Sequence, residues 1–181
     1  MNYFKDYFQE INKLISAVDD TLLKSSAVLL RQTSHRSKKV IIIGNGGSAA
    51  IASHVSVDLV KTAGLRAINF NEADLITCFS NDYGYEYWLE KALEVYADGG
   101  DLLISISSSG QSRNIINATT KAKDMGLEII TFSGFSEHNP LRSTGLINFW
   151  VDSKKYNIVE MTHHVWLSAI VDYLSQQSEG S

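Results

Sequence analysis

The sequence predicts an α/β fold in which a parallel sheet is covered by helices on both faces. Runs of branched aliphatic residues, typical of buried strands, alternate with segments in which apolar residues recur at helical spacing. Because consecutive parallel strands need a crossover connection, this alternation indicates a three-layer αβα sandwich with five strands. The expected strands are residues 39–43, 66–70, 101–106, 128–132 and 147–151, and the expected helices are residues 48–61, 73–80, 85–97, 111–125 and 157–176.

Residues 1–35 are expected to form a helical region that precedes the sheet, as one long helix or two. Part of its apolar stripe is expected to face a partner subunit. Residues 36–176 then form the ligand-binding core. Since no linker or repeat interrupts the pattern, residues 1–181 are expected to be a single domain. The stripe consists of Phe4, Phe8, Ile11, Ile15, Val18 and Leu22.

Composition limits the classes of function. With 181 residues, of which 44% are hydrophobic, the chain can bury the core of one domain. The formal net charge of −4 gives no basic surface for a nucleic-acid backbone, so no nucleic-acid partner is expected. No apolar run has transmembrane length, and the first residues lack the apolar core of a signal peptide. The sequence therefore predicts a cytoplasmic protein with no membrane partner. The single cysteine, Cys78, excludes an internal disulfide.

Two strand-to-loop junctions carry the strongest functional signal. A strand-like run ends in Gly-Asn-Gly-Gly-Ser at residues 44–48, and a second run ends in Ser-Ser-Ser-Gly-Gln-Ser at residues 107–112. Glycines allow close approach of the backbone to a ligand, a following helix directs N–H groups at it, and hydroxyls add donors. Because ligands of parallel sheets bind at the carboxyl ends of the strands, the two loops predict one shared phosphate site.

The glycine loop alone is ambiguous. It lacks the lysine of a P-loop and the Gly-x-Gly-x-x-Gly spacing, so no nucleotide cofactor is expected. A plain tight turn explains it as well as an anion site does. The serine loop favours the anion site, because a helix N-cap accounts for one serine and not for four.

In combination, the two loops resemble those of the SIS (sugar isomerase) domain family. The segment Asn81-Asp82-Tyr83-Gly84 and the segment from Glu160 to His163 extend the resemblance, which is narrowest to the phosphoheptose isomerase branch. The resemblance implies a five-stranded parallel sheet of flavodoxin-like topology and a homotetramer with active sites between subunits. It further implies interconversion of a ketose phosphate and an aldose phosphate, such as sedoheptulose 7-phosphate and a manno-heptose 7-phosphate, for bacterial lipopolysaccharide or capsule synthesis.

The resemblance also assigns ligand contacts position by position. The glycine loop would line the sugar, the serine loop would hold the phosphate, and two residues between the loops would contact sugar hydroxyls. No lysine or arginine lies within the loops, so hydrogen bonds and helix dipoles would neutralise the phosphate. The residues concerned are Asn45, Gly46, Gly47 and Ser48; Asn81 and Asp82; and Ser107, Ser108, Ser109 and Ser112.

The catalytic positions depart from the family. Aldose–ketose isomerisation needs a base and either an acid or a metal ion that stabilises the enediol oxygen. Relatives use a glutamate and a histidine, and they hold zinc at positions that correspond here to His54, Asp58, Glu160 and Ser168. Asp58 is the expected base, with Glu160 or a histidine as the second group. Zinc is expected at His54, Asp58 and Glu160, although Ser168 leaves this site incomplete because serine is a poor zinc ligand.

His164 is a candidate to complete the site. Glu160 and His164 are four residues apart, as are His54 and Asp58, so two helices could each contribute one carboxylate and one imidazole. His163 is the alternative, but adjacent helical residues point about 100° apart, so only one of the two histidines is expected to enter the site.

Two functions stay open on the sequence alone. One is a sugar-phosphate isomerase, with His54, Asp58 and Glu160 as catalytic residues. The other is a noncatalytic SIS protein that senses a phosphosugar or docks a partner, which Ser168 favours. Retention of His54 and Asp58 favours the isomerase, because a sensor has no need of a carboxylate beside the substrate.

Overall fold

Five parallel strands form one sheet in the order β2-β1-β3-β4-β5. The computed structural model describes residues 2–178. This strand order places β1 between β2 and β3, so the chain reverses its direction of travel across the sheet after β2. Ligand sites of open α/β sheets lie at such switch points. The strands are β1 (Val40–Ile43), β2 (Ala67–Asn69), β3 (Leu102–Ser107), β4 (Glu128–Gly134) and β5 (Ile147–Val151), which confirms the five predicted strands.

The helices also agree with the sequence pattern, apart from their ends. The helix predicted for residues 85–97 begins only at Trp88, because Gly84 has a φ of +84° and residues 85–87 form a turn. The helices are α1 (Tyr3–Ile15), α2 (Asp20–His35), α3 (Gly47–Lys61), α4 (Ala73–Tyr83), α5 (Trp88–Tyr96), α6 (Arg113–Asp124) and α7 (Tyr156–Ser178), with a 3-10 turn at Pro140–Ser143.

Helices cover both faces of the sheet because successive strand residues point to opposite sides. Val40 and Ile42 pack in a core with residues of α2, α3 and α7. Ile41 and Ile43 pack in a second core with residues of α5 and α6. All four side chains are at most 2% exposed. The predicted three-layer αβα sandwich is thus confirmed.

The amino-terminal region consists of two helices rather than one. Asp19 caps α2 by accepting a hydrogen bond from the backbone N–H of Thr21 at 2.9 Å, which separates α2 from α1. The indole of Trp166 on α7 donates to the carbonyl of Ile15 at 2.9 Å and fastens the end of α1. No residue of α1 is buried. Within residues 2–178, no helix has both the length and the apolar character needed to cross a bilayer.

Candidate functional site

The loop after β1 turns sharply into α3 and depends on glycine at three positions. A Cβ atom on Gly44 would lie 2.6 Å from the backbone of Ser48, and Gly46 has a φ of +54°. A Cβ atom on Gly47 would lie 2.2 Å from Oε2 of Glu160. Gly46 is the N-cap residue of α3 and makes no side-chain capping bond. Backbone donors and the positive end of the helix dipole therefore face the carboxyl edge of the sheet.

The serine loop after β3 holds more hydroxyl groups than α6 uses for capping. Oγ of Ser107 donates to Oγ of Ser112 at 3.3 Å, and the N–H of Gln111 donates to Oγ of Ser109 at 3.2 Å. Ser112 is the N-cap residue of α6, yet its side chain makes no capping hydrogen bond. Ser107 and Ser108 are buried at 4% and 5% exposure. These hydroxyls keep hydrogen-bonding capacity that a phosphate could use.

Asn139 supports the serine loop from the side, a role that no sequence signal indicated. Its side chain is 3% exposed and donates to the carbonyls of Ser136 and Gly134 at 2.8 and 3.2 Å. Gly110 has a φ of +65°, and a Cβ atom there would lie 1.9 Å from Oδ1 of Asn139. The turn therefore needs glycine at residue 110 both for its backbone angle and for the amide packed against it.

Glu160 stands between the two loops. It lies near the start of α7, and its Oε1 is 3.4 Å from Oγ of Ser108 while Oε2 lies against Gly47. The carboxylate is half-buried, so it can accept hydrogen bonds from hydroxyl groups of a ligand that enters here. Glu160 therefore belongs to the loop end of the site.

The side chain of Asn45 is held by two residues that the sequence did not identify. Asn45 and Asn114 exchange two amide hydrogen bonds of 2.9 Å, and the hydroxyl of Tyr85 donates to Oδ1 of Asn45 at 3.2 Å. Asn114 is 2% exposed and lies in the first turn of α6. The pair thus fixes the glycine loop to the helix that follows the serine loop. The sequence around Tyr85 does not indicate this contact, because its partner is 40 positions away in the chain.

The three other predicted ligand residues lie in helices. Ser48 is the second residue of α3 and is buried at 3% exposure. Asn81 and Asp82 are exposed at the end of α4, and Asn81 donates to Asp82 at 3.0 Å. In the part of the chain that the structure describes, no hydrogen bond joins either residue to the glycine loop or the serine loop.

A second polar cluster lies where α3 packs on α7. Nε2 of His54 is 3.0 Å from Oδ2 of Asp58, and Nδ1 of the same ring is 3.0 Å from Nε2 of His164. The side chains of His54 and Asp58 are 55% and 33% exposed. Burial lowers the pKa of His164 and the neighbouring His54 lowers it further, while Asp58 opposes the shift. We call these three residues the imidazole cluster.

His163 points the other way, into the core. It is fully buried, and its Nε2 donates to the carbonyl of Ser133 at 3.0 Å. Burial lowers its pKa to about 4, so the ring is neutral near pH 7. As expected for adjacent helical residues, only one of the two histidines, His164, reaches the imidazole cluster.

The loops and the imidazole cluster are separated along α3. His54 follows Gly47 by seven residues, which is about 10 Å of helix, and Asp58 follows it by eleven, about 16 Å. Glu160, in contact with Gly47, therefore belongs to the loop end, and His164, one turn further along α7, belongs to the cluster. The predicted catalytic residues are thus divided between two places on one subunit.

The positions that the resemblance assigns to zinc do not converge in this arrangement. Glu160 is held at the loops, and the hydroxyl of Ser168 is a poor ligand for zinc. Among residues 2–178, no group of three or more histidine, cysteine, aspartate or glutamate side chains could hold a metal ion. As placed, these residues do not fit a zinc ion.

A family model described as the SIS domain matches residues 6–134 of this chain. The chain therefore belongs to the SIS domain family, as its two loops predict.

Its relatives within that family include phosphoheptose isomerases. One, from Helicobacter pylori strain P12, is 34% identical over 137 residues, which are 72% of this chain and 71% of the relative. Another, from Fusobacterium nucleatum, is 31% identical over 175 residues, which are 93% of this chain and 90% of the relative. The solved structure of a phosphoheptose isomerase from Francisella tularensis superimposes with a TM-score of 0.86, at 24% identity, over 96% of this chain and 95% of that one. At that identity, the structural likeness establishes the fold.

Proposed function

We propose that this chain is an aldose–ketose isomerase that acts on a sugar phosphate. Its substrate would be sedoheptulose 7-phosphate, its product a manno-heptose 7-phosphate, and its role the synthesis of bacterial surface polysaccharide. Membership of the SIS domain family and the phosphoheptose isomerase relatives support this proposal. The observation that carries it is the exposed, hydrogen-bonded carboxylate and imidazole of Asp58 and His54, which a protein that only binds phosphosugars would not need.

The phosphate would bind at the serine loop. Hydroxyls of Ser107, Ser108, Ser109 and Ser112 and the amino-terminal N–H groups of α6 would surround its oxygens, so hydrogen bonds replace the cation found in many phosphate sites. Asn45, Gly46 and Gly47 would then lie along the sugar. Glu160 would accept a hydrogen bond from a sugar hydroxyl.

The proton-transfer groups would come from the imidazole cluster. The isomerisation removes a proton from C1 of the ketose and delivers one to C2, so the substrate carbons must lie within reach of a fixed base. Along α3 the cluster lies about 10–16 Å from the loops of its own subunit, but along α7 His164 lies one turn, about 6 Å, from Glu160 at the loop end. The separation therefore does not by itself require a second copy of the chain.

The exposed surface of α1 supports the predicted homotetramer. The aromatic side chains of Tyr3, Phe4 and Phe8 on α1 are 69%, 69% and 63% exposed, which leaves an apolar surface for a second copy. We expect a cytoplasmic homotetramer with active sites between subunits, as the resemblance to the family implies. Size-exclusion chromatography with light scattering would measure the assembly directly.

The central test is conversion of sedoheptulose 7-phosphate followed by NMR. We expect an aldose product with the wild-type protein and a loss of at least about a hundredfold in kcat for Asp58→Asn, since the base or its partner is removed. Asp124→Asn, at an exposed aspartate at the end of α6, is the control and should keep wild-type activity. An inactive wild type that binds the sugar phosphate would contradict an isomerase.

One observation favours the second candidate, a noncatalytic phosphosugar sensor. Ser168 occupies the position of the catalytic histidine in the family, and a serine cannot exchange protons near pH 7 as an imidazole does. Saturable calorimetric binding of several ketose phosphates without conversion of any would establish the sensor.

A further inference from the structure

The imidazole of His54 has both of its nitrogens engaged by the protein, on different sides of the ring. Nε2 is bonded to Asp58 and Nδ1 to His164, each at 3.0 Å. The two nitrogens of one imidazole point outward in different directions, whereas metal ligands must converge on one point. A single ion therefore cannot be bound by all three residues. Zinc at His54 would have to displace either Asp58 or His164.

The hydrogen bonds also decide which nitrogen is left free. An ionised Asp58 only accepts, so Nε2 of His54 carries the hydrogen and Nδ1 of the neutral ring is an acceptor. Nε2 of His164 must then donate to Nδ1 of His54. The remaining nitrogen, Nδ1 of His164, is unprotonated, and it is the one nitrogen of the pair that is not used in these bonds. This is the arrangement in which a carboxylate orients an imidazole that in turn orients a reacting group.

We propose that this chain performs its isomerisation without a metal ion, with His164 as the catalytic residue and with His54 and Asp58 as positioning residues. This inference rests on the proposed function. His164 thereby replaces the histidine that the family carries at the position of Ser168, one helical turn further along α7.

The proton balance is closed within the site. Nδ1 of His164 takes the proton from C1 of the ketose, and the electrons of that C–H bond form the C1–C2 double bond of an enediolate whose charge lies on O2. The hydroxyl proton of O1 passes to O2, and the proton on His164 is then delivered to C2 as the C1–O1 double bond of the aldehyde forms. Each proton lost is matched by one gained, so no oxidant, reductant or water is consumed.

The first experiment measures metal content and kinetics on the same preparation. We expect far less than one zinc per chain by mass spectrometry, and activity on sedoheptulose 7-phosphate that survives a chelator. His164→Gln keeps a donor toward His54 but lacks the free ring nitrogen, so kcat should fall about a hundredfold or more with KM changed less than about threefold. His138→Gln, at an exposed histidine outside the site, is the control and should match the wild type.

Two further measurements separate a chemical role of His164 from a structural one. Free imidazole should restore part of the activity of His164→Ala, because it can replace the missing base. The ¹⁵N shifts of His54 should report a hydrogen on Nε2, and Asp58→Asn should change that tautomer. The double variant Asp58→Glu with Ser168→His restores the glutamate and the histidine that the family carries at these two positions, and it should bind zinc more tightly than the wild type.

The outcomes distinguish this inference from the proposed function. One tightly bound zinc per chain, with activity that disappears on chelation, would overturn the metal-free site and leave an isomerase. Wild-type kinetics in His164→Gln would overturn the role of His164 alone. A wild-type protein with no activity on any ketose phosphate would remove both proposals.

Discussion

The two edges of the sheet use similar side chains in opposite ways. At the amino edge, just before β1 and β3, the ammonium of Lys39 is 2.6 Å from Asp101 and 2.7 Å from Asp98. Asp101 is 1% exposed, and its carboxylate also accepts the backbone N–H groups of Lys39 and Asp98 at 3.0 and 2.8 Å. Lys39, Asp98 and Asp101 thus all have charged partners within the protein.

At the carboxyl edge of the sheet and on the helix surface beyond it, several polar side chains are only partly hydrogen-bonded within the protein. Ser112 occupies an N-cap position without capping, Glu160 is held loosely against Ser108 at 3.4 Å, and one nitrogen of His164 is left outside the chain of bonds. The hydroxyls and the imidazole nitrogen at this edge retain hydrogen-bonding capacity that a ligand can use. The difference between the two edges teaches that a charge paired inside the protein serves stability, whereas similar groups left partly free at the loops can serve binding.

The largest effect is expected from a mutation that removes a buried charge at the amino edge of the sheet. Asp101→Asn leaves Lys39 short of a buried partner and should lower the free energy of unfolding by about 3–5 kcal/mol. Activity per folded molecule should not change. Asp98→Asn removes the other partner of the same lysine, but that carboxylate is 71% exposed, so it should have little effect. Equal losses of stability by urea denaturation would contradict the comparison.

The second test measures how the buried ring of His163, the neighbour of His164, makes the stability of the protein depend on pH. The pKa of His163 is about 4 in the folded protein and about 6.5 in the unfolded chain, so between these values the unfolded chain binds a proton that the folded protein excludes. Stability from this residue is present above pH 6.5 and is lost as the pH falls toward 4. The loss should reach about 3 kcal/mol at pH 4.

His163→Gln supplies the reference for this measurement. Glutamine can still donate to the carbonyl of Ser133 and does not titrate, so its unfolding free energy should depend less on pH between 7 and 4. If the unfolding free energies of the wild type and the variant had the same slope against pH, burial would not be preventing the protonation of His163.

The third test fills the space at the glycine loop. Gly47→Ala puts a methyl group where Oε2 of Glu160 lies, and a shift of about 1 Å at a reacting site costs about a hundredfold in kcat/KM. Stability should stay close to that of the wild type, since alanine favours a helix more than glycine does. Gly99→Ala is the matched control, because its Cβ atom would meet only the carbonyl of Met125, at 3.7 Å.

The smallest expected effect compares two helix caps. Ser112→Ala should weaken the binding of inorganic phosphate by about tenfold with little loss of stability, because its hydroxyl makes no capping bond. Asp19→Ala removes a carboxylate cap that accepts from the backbone N–H of Thr21, so it should lower the melting temperature without affecting phosphate binding. Calorimetry would measure phosphate binding by both variants, and thermal melts would measure their stability. A lower melting temperature with unchanged phosphate binding in Ser112→Ala would show that Ser112 has a structural role.

Much of the fold could be predicted from local pattern. Aliphatic runs located all five strands, and the glycine and serine loops located the edge where the phosphate is proposed to bind. The start of α5 was placed too early because the positive φ of Gly84 outweighed a continuous helical spacing. Asn114, Asn139 and the contact of Tyr85 could not be predicted, since each depends on a partner far away in the chain: Asn114 and Tyr85 contact Asn45, and Asn139 packs against Gly110.

The sequence by itself determined the layer architecture, the family and the chemical types gathered at the two loops, because apolar periodicity and glycine positions act over a few residues. Only the tertiary structure decided that His164 and not His163 meets His54, and that Glu160 lies with the loops while Asp58 lies about 16 Å further along α3. The physical reason is that helical spacing fixes which residues share a face. The packing of α3 against α7 fixes which of these faces meet and where along each helix they do so.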